Sequence, residues 1–147
     1  MGMRFHHRVL KSATILISVS LYAWSLWEPA LLFKDHAPLT GATVLALGWF
    51  GVLSLDFAWY ANPAWLMAAV FLIVGKVRLA RISSGVSVLL ALLSFTTKQW
   101  WFNEARPTAI SGLGPACYIW MSSLAVLSLG CILNRQPNQS PLSTPSL

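Results

Sequence analysis

Four acidic side chains are available for acid–base or cation chemistry in this sequence, and Asp56 is the one with apolar neighbours on both sides. An ionisable group within an apolar stretch is costly to keep there, so it is a candidate functional residue. One interpretation of Asp56 is a proton or cation site, or an ion pair with Lys98 or Arg106. The other is a carboxylate at an apolar–water interface, exposed to water or hydrogen-bonded to the turn before Pro63.

The sequence contains no recognisable catalytic motif. The nucleophile elbow of hydrolases, the zinc-protease helix, the phosphate loop and the dinucleotide fingerprint are all missing. Cys117 and Cys131 have no His or Cys at ligand spacing. Glu104 and Arg106 are expected to form an exposed ion pair, which would contribute little to stability. We therefore predict a protein that is not an enzyme and that holds no metal or cofactor.

The composition indicates lipid as the medium for most of the chain. Hydrophobic residues make up 56% and charged residues 10% of the 147 residues, whereas soluble domains have about 25% charged residues. The formal net charge is +6. Because the basic residues stand beside apolar runs, they are expected to orient the chain in a bilayer rather than to bind nucleic acid.

Five apolar stretches must position the polar groups, and they cover residues 12–27, 39–55, 57–75, 82–97 and 116–133. A helix needs ~20 residues to cross the hydrocarbon core, with ~17 as a lower limit. The stretch 39–55 is marginal and rich in glycine, and the first stretch is predicted to be an uncleaved span. The sequence thus predicts an all-α integral membrane bundle of four transmembrane helices plus a short re-entrant or interfacial helix. The alternative is five transmembrane helices.

The basic residues distinguish these two arrangements. Four spans place seven cations on the inner side, namely Arg4, Arg8, Lys11, Lys76, Arg78, Arg81 and Arg135, and leave three outside, namely Lys34, Lys98 and Arg106. Five spans place five on each side. An excess of Lys and Arg in cytoplasmic loops is the main topology signal. It favours four spans with both termini cytoplasmic.

Aromatic residues support the same arrangement. Tryptophan and tyrosine collect at membrane interfaces because their rings are apolar and their N–H or O–H groups are polar. With four spans, the outer interface holds Trp24, Trp27, Trp59, Tyr60, Trp100, Trp101 and Trp120.

Small residues indicate where helices approach closely. Ser83, Ser87 and Ala91 recur every fourth residue on the third span, and such stripes let helices pack tightly in lipid. Gly48 and Gly51 are expected to do the same for the segment 39–55.

A break in the chain precedes the second of the four spans. Asn62 is predicted to cap a helix that begins at Pro63, since Asn is a good N-cap and Pro is favoured in the first turn. The candidate functional polar residues near the outer side are Asp56, Asn62, Lys98, Glu104 and Arg106.

The chain is expected to form one domain. Residues 1–11 are a basic cytoplasmic N-terminus and residues 12–133 are the membrane domain. Residues 134–147, rich in Asn, Gln, Ser and Pro, are expected to be a disordered cytoplasmic tail.

Three sequence runs carry a resemblance to known proteins. They are Gly48-Trp49-Phe50-Gly51, Phe57-Ala58-Trp59-Tyr60-Ala61-Asn62-Pro63, and Gly112-Leu113-Gly114-Pro115 ahead of Tyr118-Ile119-Trp120. The chain resembles a class of small uncharacterised bacterial multi-pass inner-membrane proteins. The resemblance implies a bacterial inner membrane and brings no activity with it.

The predicted role is a non-enzymatic accessory or assembly subunit that contacts another membrane protein, or a second copy of itself, within the bilayer. Four short helices leave many faces open to lipid or to a partner. The alternative is a small transporter or an ion or proton channel that uses Asp56. A membrane enzyme with a site in the outer loops is a third hypothesis.

Overall fold

The structure is a computed structural model. It describes residues 2–54, 56–102 and 107–134, apart from the side chains of residues 2–8 and 52–54. Glu104 and Arg106, with their predicted ion pair, lie outside the described residues. So does the predicted disordered tail from residue 135 onward.

The described chain is mostly helical. It contains five α-helices, which are α1 Gly2–Ser25, α2 Gly41–Leu47, α3 Ala61–Ile73, α4 Val77–Leu92 and α5 Pro115–Leu133. Short 3-10 turns cover Gly48–Ser54, Ala58–Tyr60 and Leu93–Phe95. Two helices, Val77–Phe95 with its terminal 3-10 turn and Pro115–Leu133, are long and apolar enough to cross a membrane. The apolar parts of the other helices, Val9–Ser25, Gly41–Gly51 and Ala58–Ile73, are shorter.

Short strands join the helices, so the prediction of a purely helical chain is incomplete. Strands β1 Pro29–Leu32, β2 Leu39–Thr40 and β5 Gly112–Leu113 form an antiparallel sheet in the order β2-β1-β5. Strands β3 Gln99–Trp101 and β4 Pro107–Ala109 form a two-stranded antiparallel ribbon. Strands of two to four residues are too short to show an alternating pattern in the sequence.

The long helices α1 and α3 run antiparallel. Lys11 Nζ in the first half of α1 donates to the carbonyl of Ile73 at the end of α3 (2.8 Å). Tyr22 Oη near the end of α1 donates to Asn62 Oδ1 at the start of α3 (2.9 Å). Each pair therefore lies at an opposite end of the two helices.

Helix α5 runs antiparallel to α4 and lies against α1. Arg81 Nε, near the start of α4, donates to the carbonyl of Cys131 near the end of α5 (2.9 Å). Ser18 Oγ of α1 donates to the carbonyl of Ser123 in the middle of α5 (2.8 Å). The four longer helices thus form an up-down bundle, in which only the connection from α3 to α4 is short.

The bundle has two chemically different ends. The end that holds Lys11, Lys76, Arg78 and Arg81 is called the cationic end, and there the chain turns from α3 into α4 through Gly75 at φ +80°. The opposite end carries α2, all five strands and the tryptophans outside the bundle interior, and it is called the aromatic end. Lys11 and Arg81 bond carbonyls at the C-terminal ends of α3 and α5, where the helix dipole favours positive charge.

The described part of the segment 39–55, residues 39–54, folds at the aromatic end as a short helix followed by a 3-10 turn. Helix α2 has seven residues, too few to cross a bilayer. Thr40 caps it by accepting a hydrogen bond from the Thr43 N–H (3.3 Å). Ala42 N also donates to the carbonyl of Leu26 just beyond α1 (2.9 Å), which fixes α2 at the end of α1.

Small residues share the centre of the bundle with a few large ones, Trp65, Leu72, Leu124 and Leu127. Ser18 and Ser123 are both 0% exposed. The buried face of α4 consists of Ala80, Ser84, Ser87 and Ala91. Ser87 and Ala91 therefore lie where the sequence placed them, whereas Ser84 takes the position expected of Ser83, which is half-buried. A strict four-residue spacing drifts from a face that repeats every 3.6 residues.

Candidate functional site

A cavity of about 830 Å³ lies at the aromatic end. Its walls come from the end of α1, strand β1, α2 with the following 3-10 turn, the segment from Asp56 to Asn62, the chain after α4, and the start of α5. The lining is mostly apolar and includes Tyr22, Phe50, Trp59, Trp100, Trp101, Phe102 and Trp120. Sites for small molecules usually have ~300–1,000 Å³ and a few placed polar groups.

Asn62 connects three elements beside this cavity. Its Oδ1 accepts hydrogen bonds from Tyr22 Oη (2.9 Å) and from Trp120 Nε1 (2.8 Å), and its Nδ2 donates to the carbonyl of Trp59 (2.8 Å). Helix α3 begins at Ala61, so Asn62 is not its N-cap. The capping prediction is wrong because the amide is engaged by partners that sequence spacing could not reveal.

The Tyr22 ring adds a second contact to the same junction. It stacks on Trp65 with ring centroids 4.3 Å apart and planes inclined by 14°. Trp65 Nε1 in turn donates to Ser18 Oγ (2.9 Å), which connects the aromatic end to the buried serines of the bundle.

Asp56 holds the chain between the 3-10 turns. Its Oδ1 accepts from the Ala58 N–H (3.1 Å), and its Oδ2 accepts from the Thr97 hydroxyl beyond α4 (2.5 Å). The first contact is the turn interaction that one interpretation of the sequence proposed for this carboxylate. The second ties the start of α3 to the end of α4, and the sequence contained no signal for it.

Gly48 lets the segment 39–55 pack onto the bundle end. A Cβ atom at Gly48 would lie 2.5 Å from Trp59 Cδ1, and the Trp59 Nε1 donates to the carbonyl of Leu45 (2.7 Å). A Cβ atom at Gly51 would lie 2.8 Å from the carbonyl oxygen of Asp56. Both predicted packing glycines therefore stand where backbone or ring atoms approach closely.

Of the other predicted aromatic residues, Trp100, Trp101 and Trp120 line the cavity, whereas Trp24, Trp27 and Tyr60 do not. Trp24, Trp27 and Trp101 are exposed, whereas Tyr60, Trp100 and Trp120 are half-buried. Trp24 Nε1 donates to Glu28 Oε1 (3.1 Å). Lys98 is exposed and does not line the cavity, although Thr97 and Gln99 on either side of it do.

A metal centre is not formed by the part of the chain that the structure describes. No group of three or more His, Cys, Asp or Glu residues comes together there. Cys117 and Cys131 are buried free thiols on α5.

Comparison of the chain with protein-family models, with curated proteins and with solved structures found no match. The resemblance noted from the sequence therefore gains no support from these comparisons. The fold and the cavity alone define the class of site, a partly enclosed apolar pocket at the end of a helical bundle.

Proposed function

We propose that the chain is an integral membrane protein whose four longer helices lie in the bilayer, and that it serves as a non-enzymatic accessory or assembly subunit. One observation carries the proposal, which is the distribution of small and large side chains in the bundle. Serine, alanine and glycine make many of the contacts between helices, beside the buried Leu72, Leu124 and Leu127, while many other large aliphatic side chains face outward.

The exposed fractions make this contrast plain. Leu16 on α1 and Leu89 on α4 are each 67% exposed, and Ile82 is 64% exposed. Water-soluble bundles bury their large apolar side chains instead. In lipid, exposed aliphatic side chains carry no free-energy penalty. Small residues at the contacts between helices let the helix backbones approach closely.

The two chemically different ends support an orientation. Cationic residues are retained on the cytoplasmic side of bacterial inner membranes, and tryptophan is enriched at interfaces. We therefore place the cationic end in the cytoplasm and the aromatic end, with the segment 39–55, at the outer face. The two helices that are shorter than a full span would be completed by their flanking turns and by local thinning of the bilayer.

The open helix faces support an accessory role. Each of the four longer helices presents at least one leucine or isoleucine that is more than half exposed, namely Leu16, Leu66, Leu89 and Leu129. Such faces bind either lipid or another transmembrane helix. The serines of the bundle interior are buried within the chain, so a partner would be recognised through the outer apolar faces.

Native mass determination after mild extraction from the membrane tests this role. We expect a species heavier than the 16.2 kDa chain. A lone monomer in each of several mild detergents would contradict the proposal.

A matched set of variants locates the contact face. Leu16→Ala, Leu66→Ala, Leu89→Ala and Leu129→Ala each shorten one outward side chain on a different helix and leave the bundle interior intact. We expect one variant to lose the heavier species and the others to retain it.

A further inference from the structure

We propose that the cavity at the aromatic end is a binding site for a lipophilic organic cation. The proposal concerns binding only, and it is independent of the accessory role. It requires neither a partner protein nor a particular orientation in the membrane.

The cavity lining carries a negative charge. Among the side chains that the structure describes, Asp56 is the charged residue that lines the cavity. Among the residues that the structure describes, its two hydrogen-bond donors are the Ala58 amide and the Thr97 hydroxyl, which are neutral and do not offset the charge of the carboxylate. A carboxylate can accept about four hydrogen bonds, so it retains acceptor capacity toward a ligand. A negative charge in an apolar cavity favours a cation as the ligand.

The aromatic side chains of the lining also favour a cation. The polar atoms of Tyr22 and Trp120 are bonded to Asn62, and Trp59 Nε1 is bonded to Leu45. These three rings therefore offer the cavity apolar and π surface instead of hydrogen-bond donors. Aromatic faces attract cations, whereas the donors of these three rings are already engaged and are not offered to an anion.

The size of the cavity defines the ligand class. About 830 Å³ is far more than a bare metal ion or a proton requires and is within the range for drug-sized molecules. Because most of the lining is apolar, the ligand must carry apolar groups around its positive charge. Quaternary ammonium and phosphonium compounds with aryl or alkyl substituents have this chemistry.

Titration calorimetry of the purified full chain in a neutral maltoside detergent tests the proposal. Tetraphenylphosphonium and tetraphenylborate have nearly the same shape and opposite charges, and each is titrated separately with protein-free micelles as the blank. We expect saturable binding of one phosphonium per chain, and borate binding at least about tenfold weaker because of its repulsion by Asp56.

Asp56→Asn keeps the size of the side chain and can still bond both Ala58 and Thr97, but it removes the charge. We expect it to weaken phosphonium binding by about tenfold or more. Asp35→Asn makes the same chemical change at an exposed loop residue outside the lining and should leave the affinity unchanged.

Three outcomes would overturn the proposal: no saturable phosphonium binding, borate binding as tight as phosphonium binding, or unchanged affinity in Asp56→Asn. If Asp56→Asn does not fold, the comparison of the two ions on the unmodified chain still decides the question. Failure of this test would leave the accessory role untouched, because that role is measured by native mass.

Discussion

At the scale of single residues, Asn62 makes three side-chain hydrogen bonds that its neighbours in the sequence do not predict. Its amide joins α1 through Tyr22, α5 through Trp120 and the preceding turn through Trp59. All three partners lie in a part-buried region. Polar groups left unpaired in such surroundings cost more than the net value of the bonds they make.

Asn62→Leu should therefore lower the free energy of unfolding by about 1–3 kcal/mol, since the Tyr22 hydroxyl and the Trp120 N–H both lose their acceptor. Equilibrium unfolding of the purified chain in mixed detergent micelles measures this change. A loss below about 0.5 kcal/mol would be no larger than that of an ordinary surface substitution. It would contradict the claim that the hydrogen bonds of Asn62 stabilise the fold.

A double-mutant cycle supplies the control. Tyr22→Phe removes one of the two donors to Asn62. In the Asn62→Leu background this change should cost less than it does alone, because the shared hydrogen bond is already gone.

At the scale of elements, the contact between α1 and α5 depends on a glycine. A Cβ atom at Gly130 would collide with the Thr14 side chain, whose residue is buried on the facing helix. A little further along, Ser18 bonds the backbone of Ser123 across the same interface. Close approach of this kind is how small residues stabilise helix pairs in lipid.

Gly130→Ala should destabilise the bundle by about 1–3 kcal/mol through overpacking, although alanine by itself favours a helix by about 1 kcal/mol over glycine. Unfolding in detergent again measures the change.

Gly85→Ala is the matched control, because Gly85 also lies within a helix and nothing lies within 4 Å of its Cβ position. It should be neutral or should stabilise the protein by up to about 1 kcal/mol. Equal effects of the two substitutions would mean that the α1–α5 contact does not depend on Gly130.

At the scale of the whole molecule, the proposed orientation depends on the separation of charge and aromatic rings along the bundle. Lys34 lies in the exposed loop after β1 at the aromatic end, and Arg78 is exposed near the start of α4 at the cationic end. In the proposed orientation these two residues lie on opposite sides of the membrane.

Single-cysteine labelling in intact cells tests this orientation. In a chain that carries Cys117→Ala and Cys131→Ala, a membrane-impermeant thiol reagent should modify Lys34→Cys directly. It should modify Arg78→Cys only after the cells are permeabilised. Labelling of both positions in intact cells, or the opposite order, would refute the proposed orientation.

Several features of this fold could be predicted from the sequence because they depend on residues that are close together along the chain. Composition and short apolar runs marked the helical segments, and the glycine-rich stretch 39–55 was expected to be a short helix apart from the others. The placement of basic residues beside some runs and aromatic residues beside others indicated two unlike ends. The structure places Lys76 and Trp100 at such opposite ends.

The tertiary structure alone decided which distant residues meet. Asn62 lies 40 residues from Tyr22 and 58 residues from Trp120, and Asp56 lies 41 residues from Thr97. No periodicity connects positions so far apart, since a hydrophobic pattern records which face of a helix is apolar and not which partner covers it. The cavity exists only because those contacts bring the ends of four helices and two small sheets around one space.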